Sequence, residues 1–248
     1  MFTTNNHIFL YMAGGIFAVS SLLYLFKQKT ASFIVLLAGL ILYTLYLAGR
    51  GWIAGTFLPN PLVEGPFMLP WCLAVIPVIL ALNRNERWGL ALIPLLLSLC
   101  FAAWYAKGII PPTPNKLTLW AIAFFTFELF AHACFYCGAV YAGALLAGKD
   151  GPDTFHGFMI WGFLLYSVAQ VTGAVWCFLG WGNTFQWGPR HMNSAALWLI
   201  YAAYLHLRYI SGWNMKRRAW YAIIAALIVL AVTNSSYLHE SAFPRIGG

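Results

Sequence analysis

Apolar residues along this chain do not alternate with polar ones; they continue through whole segments, and the polar residues collect between them. Eight apolar runs fall at about 8–26, 31–49, 66–83, 87–106, 118–147, 156–180, 194–211 and 218–234. Each is about the length a helix needs to cross a hydrocarbon core of about 30 Å. In lipid the backbone polar groups must be satisfied within the segment, which restricts such runs to helices. The pattern predicts an all-α, polytopic integral membrane bundle of about eight transmembrane helices, with residues 1–248 forming a single transmembrane domain. No soluble domain, internal repeat or low-complexity tract interrupts it. The first run lacks the basic start and small-residue cleavage site of a removable signal peptide.

Composition agrees with that reading. The chain is 62% hydrophobic and 8% charged, against about 25% charged in an ordinary soluble domain. Its net charge of +8 could suggest nucleic acid, but the basic residues lie between apolar runs and read as topology rather than as a binding patch. Lipid is the expected surround, and nucleic acid is not a partner. With the N-terminus outside, nine basic residues fall in inner loops: Lys27, Lys29, Arg84, Arg87, Lys149, Arg208, Lys216, Arg217 and Arg218. Five fall outside: Arg50, Lys107, Lys116, Arg190 and Arg245. The positive-inside rule then places both termini and the loop after the sixth run on the outer face.

That loop, WGNTFQWGPRHMN, holds Trp181, Phe185 and Trp187 within seven residues. Aromatic rings at a membrane surface can anchor helix ends at the headgroups, or form a platform for a flat apolar ligand such as a porphyrin. His191 and His239, both expected outside, could ligate the iron of such a ligand. The five cysteines, Cys72, Cys100, Cys134, Cys137 and Cys177, all lie in apolar runs. Cys134 and Cys137 share one helical face, where a free cysteine packs as a small hydrophobe. No second pair completes a zinc site, and no C-x-x-C-H provides for covalent haem.

Glu128 and His132 stand one helical turn apart in the fifth run. Ionisable groups inside a membrane segment are costly and mark function by default. Three readings are open for this pair: a neutralised structural contact, a proton path beside a quinone, or a metal-binding imidazole oriented by a carboxylate. Arg50 and Glu64 end the long Gly- and Pro-rich stretch after the second run. They read as an exposed ion pair worth under about 1 kcal/mol, or Arg50 grips a carboxylate ligand such as a haem propionate. No Ser-His-Asp set, phosphate loop or hydrolase carboxylate pair occurs.

The segment TGAVW, the loop W-G-x-x-F-x-W-G-P and the helix WLIYAAYLHLR resemble the tryptophan-rich signature of the CcsA/CcmC family, haem-handling membrane proteins of cytochrome c maturation. YTLYLAGRGWIAG with Glu64 is similar to that family's second helix and following loop, and NSSYLHESAF to its terminal segment. The resemblance implies a multi-pass protein of the bacterial inner membrane that holds haem at the outer face. It also implies histidine ligands at His206 and His239. The chain departs from the signature at Gly188, where the family has aspartate, at Phe185 for tryptophan, and at His191 for an acidic residue. Tyr43 replaces the second-helix histidine, and no histidine lies between Lys107 and Glu128.

Two imidazoles from separate helices would give a non-covalent b-type haem. His132 is the more economical partner for His206, since Tyr43 would have to ionise from a pKa of about 10 to ligate iron as tyrosinate. Two functions follow. The first is a haem-holding factor for delivery or attachment to an apocytochrome c, whether or not it counts as an enzyme. The alternative is an electron-transfer or anchoring subunit, carrying b-haem or meeting quinol, beside a periplasmic multihaem cytochrome and a partner membrane subunit.

Overall fold

The computed structural model describes residues 7–56, 61–105, 108–109, 113–149 and 152–240, with the side chains of 61–63, 115, 152–153 and 236–240 excepted. Eight α-helices occupy the eight expected positions. These are α1 (His7–Leu25), α2 (Lys29–Ile53), α3 (Pro61–Leu82), α4 (Leu92–Trp104), α5 (Leu119–Leu146), α6 (Pro152–Trp181), α7 (Pro189–His206) and α8 (Met215–Glu240). Six are long and apolar enough to cross a membrane: α1, α2, α3, α5, α6 and α8. The fourth apolar stretch, Trp88–Trp104, is shorter and starts as a 3₁₀ turn over Trp88–Ala91. The seventh, α7, carries Arg190, His191, Asn193, Ser194 and His206, which dilute its apolar run. The protein is an all-α, polytopic helical bundle.

The helices fall into two compact units, one holding α1–α4 and the other α5–α8. In the first, α1 and α2 pair through reciprocal bonds. The Ser20 hydroxyl donates to the Ser32 carbonyl at 2.9 Å, and the Ser32 hydroxyl to the Ser20 carbonyl at 2.7 Å. Such small polar contacts join helices where no hydrophobic drive separates protein from lipid. Pro66, Pro70 and Pro77 lie inside α3, as membrane helices tolerate when neighbours engage the disturbed backbone. Tyr43 provides one such contact, its hydroxyl donating to the Phe67 carbonyl at 2.7 Å.

The second unit is built on the antiparallel pair α5–α6. Three glycines set its closeness. A Cβ at Gly162 would lie 2.4 Å from the Phe135 ring, one at Gly138 2.2 Å from Met159 Cε, and one at Gly173 2.8 Å from the Phe124 ring. Each glycine receives a side chain of the facing helix, the small-residue packing typical of membrane helices. Phe135 then stacks on Tyr201 of α7 at 3.4 Å and 8°. Helix α8 joins through Tyr221, whose hydroxyl donates to the Ile200 carbonyl at 2.9 Å, and through Thr233, hydrogen-bonded to Tyr136 at 3.3 Å.

Four helix ends close in the same way. Lys27, Gly55, Arg84 and Gly148 take the left-handed conformation, with φ of 64°, 70°, 57° and 69°. Each is followed by a residue whose N–H reaches five residues back to a carbonyl of the last turn, the Schellman arrangement. A glycine suits that conformation; lysine and arginine hold it at Lys27 and Arg84 against their own preference.

Candidate functional site

The second unit contains a cavity of about 570 Å³, within the range of about 300–1,000 Å³ common for small-molecule and cofactor sites. Helix α5 contributes Phe124; α6 contributes Gln170, Gly173, Ala174 and Trp176; the following loop Thr184 and Phe185; and α7 Arg190, His191, Ser194, Ala195, Trp198 and Leu199. Its walls are therefore largely aromatic or small, with a few polar groups among them. Phe124 and Trp176 lie near-parallel at 6.1 Å and 25°. The indole N–H of Trp198 donates to the Ser167 hydroxyl at 2.9 Å, which fixes that wall. Gln170 leaves its buried amide nitrogen without a hydrogen-bond partner.

The residues of the aromatic loop differ in exposure and in what they meet. Trp187 is 85% exposed, in the manner of an interfacial anchor. Phe185 faces the cavity, meeting Trp187 edge-on at 5.3 Å and His191 at 5.5 Å. Trp181 meets Trp176 edge-on at 5.3 Å and so supports the wall from behind. His191 lines the cavity; burial, and then the neighbouring Arg190 charge, hold its pKa below the ordinary histidine value. A neutral imidazole is the form that ligates metal. Arg190 also lies over the Phe125 ring at 5.2 Å.

The other expected site residues lie elsewhere. Glu128 and His132 do share a face of α5, but no hydrogen bond joins them. The His132 ring sits 5.8 Å from Tyr166 and 6.4 Å from Tyr136, with its Nε2 unpartnered. His206 ends α7 rather than lying within a span; it is exposed, and its Nδ1 bonds the Ala202 carbonyl at 2.8 Å. His132 and His206 make no ring contact, and the cavity is lined by neither. His239 falls in the last turn of α8, and its side chain lies outside the described residues.

Arg50 and Glu64 are not an exposed pair: each is 2% exposed. The guanidinium engages both carboxylate oxygens, through Nε to Oε2 and through Nη2 to Oε1 at 3.0 Å. It also donates to the Tyr46 hydroxyl at 3.2 Å and covers the Phe67 ring at 4.0 Å. Helix α2 extends to Ile53 and α3 begins at Pro61, so what read as one long loop is mostly helix. Tyr43 is fully buried, and its hydroxyl is committed to Phe67.

Trp176, Trp198, Gln170 and Arg190 were not foreseen as site residues. Gln170, a lone amide in an apolar run, and Trp176, beside the aromatic loop, carried the available signals. Residues that line one cavity from three helices give no joint sequence pattern. Among the described residues no cluster of three or more His, Cys, Asp or Glu side chains could hold a metal ion.

Comparison with known proteins adds the family. Residues 153–240 match the family described as cytochrome C assembly protein. The cytochrome c biogenesis protein CcsA of Synechococcus sp. (strain RCC307) is 44% identical over 71 residues, covering 29% of this chain and 22% of the relative. The protein of the same name from Prochlorococcus marinus (strain MIT 9303) is 39% identical over 71 residues, covering 29% and 22%. The matched stretch thus spans about a fifth of the length of these curated relatives. The family match includes most of α6, all of α7 and α8, and every cavity residue except Phe124.

Proposed function

Residues 153–240 match the cytochrome c assembly family, and from that premise we propose that this protein is a haem-handling membrane component of cytochrome c biogenesis. Its cavity behind the 181–187 loop holds haem at the outer face of the bacterial inner membrane for delivery or attachment to an apocytochrome c. The observation that carries the reading is the cavity itself. It has the volume of a cofactor site, walls of Phe124, Trp176, Phe185 and Trp198, and His191 and Arg190 among its lining. A flat, largely apolar ring with anionic substituents and a metal centre suits that set of groups.

Bound haem would supply the iron and the vinyl groups that become linked to cysteines of the partner cytochrome. The chain's own residues bind and orient. The aromatic walls exclude water from the ring faces, Arg190 provides a guanidinium able to grip a carboxylate, and the Gln170 amide offers an unused donor. His191 supplies an imidazole from the lining, and His239 is the second candidate ligand. No residue of this chain need act as acid or base.

One observation favours the second reading, an electron-transfer or anchoring subunit beside a periplasmic multihaem cytochrome. The position of the family's second-helix histidine is Tyr43, and its hydroxyl is already committed to the Phe67 carbonyl. An optical spectrum of the purified protein, with pyridine haemochrome to identify b-type haem, tests the leading proposal. Trp176→Ala should reduce haem content several-fold, whereas Trp187→Ala, at an 85% exposed position, should leave it nearly unchanged. Equal loss in both, or no haem in the wild type, would remove the cavity from consideration.

A further inference from the structure

The core of the second unit contains two buried polar atoms without partners. His132 is 3% exposed and its Nε2 has no hydrogen bond; Tyr201 is 1% exposed and its hydroxyl has none. Native proteins pair almost all such groups, and ordered water is a common partner where the protein provides none. The two residues also share neighbours. Tyr166 lies 5.8 Å from the His132 ring and 6.2 Å from Phe135, which stacks on Tyr201. The hydroxyls of Tyr136 and Tyr166 have only thin engagement, Tyr136 with Thr233 at 3.3 Å and Tyr166 with the Ser194 carbonyl at 3.4 Å. Helices α5, α6, α7 and α8 thus each bring a polar group to one apolar core.

One imidazole and three phenols are a poor donor set for a divalent metal, but they suit water, which needs two to four polar partners. We infer that His132, Tyr136, Tyr166 and Tyr201 enclose a buried water site bridging His132 Nε2 to the Tyr201 hydroxyl. The inference does not depend on what the cavity binds. It gives the imidazole of α5 a partner without a direct hydrogen bond to Glu128.

The test is transfer of magnetisation from water to histidine ring nitrogens, by solid-state NMR on the full chain in lipid bilayers with isotope-labelled histidine. The His132 signal is assigned by its loss in His132→Phe. Transfer to His132 should be as prompt as to the exposed His206. It should fall to background in Tyr201→Phe, with His206 unchanged. A His132 ring that receives no transfer, or whose transfer survives Tyr201→Phe, overturns the water bridge. If Tyr201→Phe fails to fold, transfer to the wild-type His132 ring decides in its place, since a ring with no water against its Nε2 receives none.

Discussion

Arg50 shows how far one side chain's environment changes its meaning. As an exposed ion pair it would contribute little; buried and held by Glu64 at two points, it is a contact whose loss is costly. Removing one partner of a buried pair costs about 3–5 kcal/mol, because the other charge is left without compensation. Glu64→Gln should therefore destabilise the purified protein by about that amount, measured by thermal or denaturant unfolding in detergent. The double variant Arg50→Met with Glu64→Leu should recover most of the loss. A double variant as unstable as the single one would mean that the pair holds the fold by more than its charges. The Arg50 guanidinium is engaged by Glu64 and Tyr46, whereas Arg190 lines the cavity.

The α5–α6 pair is controlled by what its glycines admit. At Gly162 an added Cβ would lie 2.4 Å from the Phe135 ring, and Phe135 is itself stacked on Tyr201. The ring therefore has nowhere to retreat. Gly162→Val should force the helices apart, destabilising by about 1–3 kcal/mol or more. It should also disturb the cavity floor, since α6 carries Gln170, Gly173 and Ala174 on the same run. Gly180, on the same helix, has nothing within 4 Å of an added Cβ. Gly180→Ala should be neutral or stabilising by about 0.5–1 kcal/mol, through the entropy glycine loses in a helix. Comparing the two variants by melting temperature and haem content separates packing from intrinsic helix preference.

At the scale of the whole molecule, the basic loops set which helices cross and in which direction. Lys216, Arg217 and Arg218 at the start of α8 make the strongest inner-face marker. If all eight helices cross, reporter fusions at Gly212 and Gly248 lie on opposite faces and should give opposite signals. Matching signals would mean that α8 does not span. Should α4, α7 or both fail to span, fusions at Gly55, Gly148 and Gly212 distinguish the cases: Gly55 and Gly148 match only if α4 does not cross, and Gly148 and Gly212 differ only if α7 does not, because each lost crossing reverses every loop after it.

The sequence by itself determined the all-α membrane class and the position of all eight helices, because long uninterrupted apolar runs leave the backbone no other choice in lipid. It also located the loop around Trp181, Phe185 and Trp187, and His191 beside it, because these residues are local neighbours. Only tertiary structure decided the rest. Trp198 and Phe124 line one cavity from helices far apart in sequence, so their sharing it depends on how Gly162 and Gly173 let α5 and α6 approach. The burial of Arg50 with Glu64 followed from the extension of α2 and α3 into what read as a loop. His132 lies beside the rings of Tyr136 and Tyr166, with Phe135 of the same helix packed between Gly162 and Tyr201. Spacing along one helix states which residues share a face; the neighbouring helices decide what that face meets.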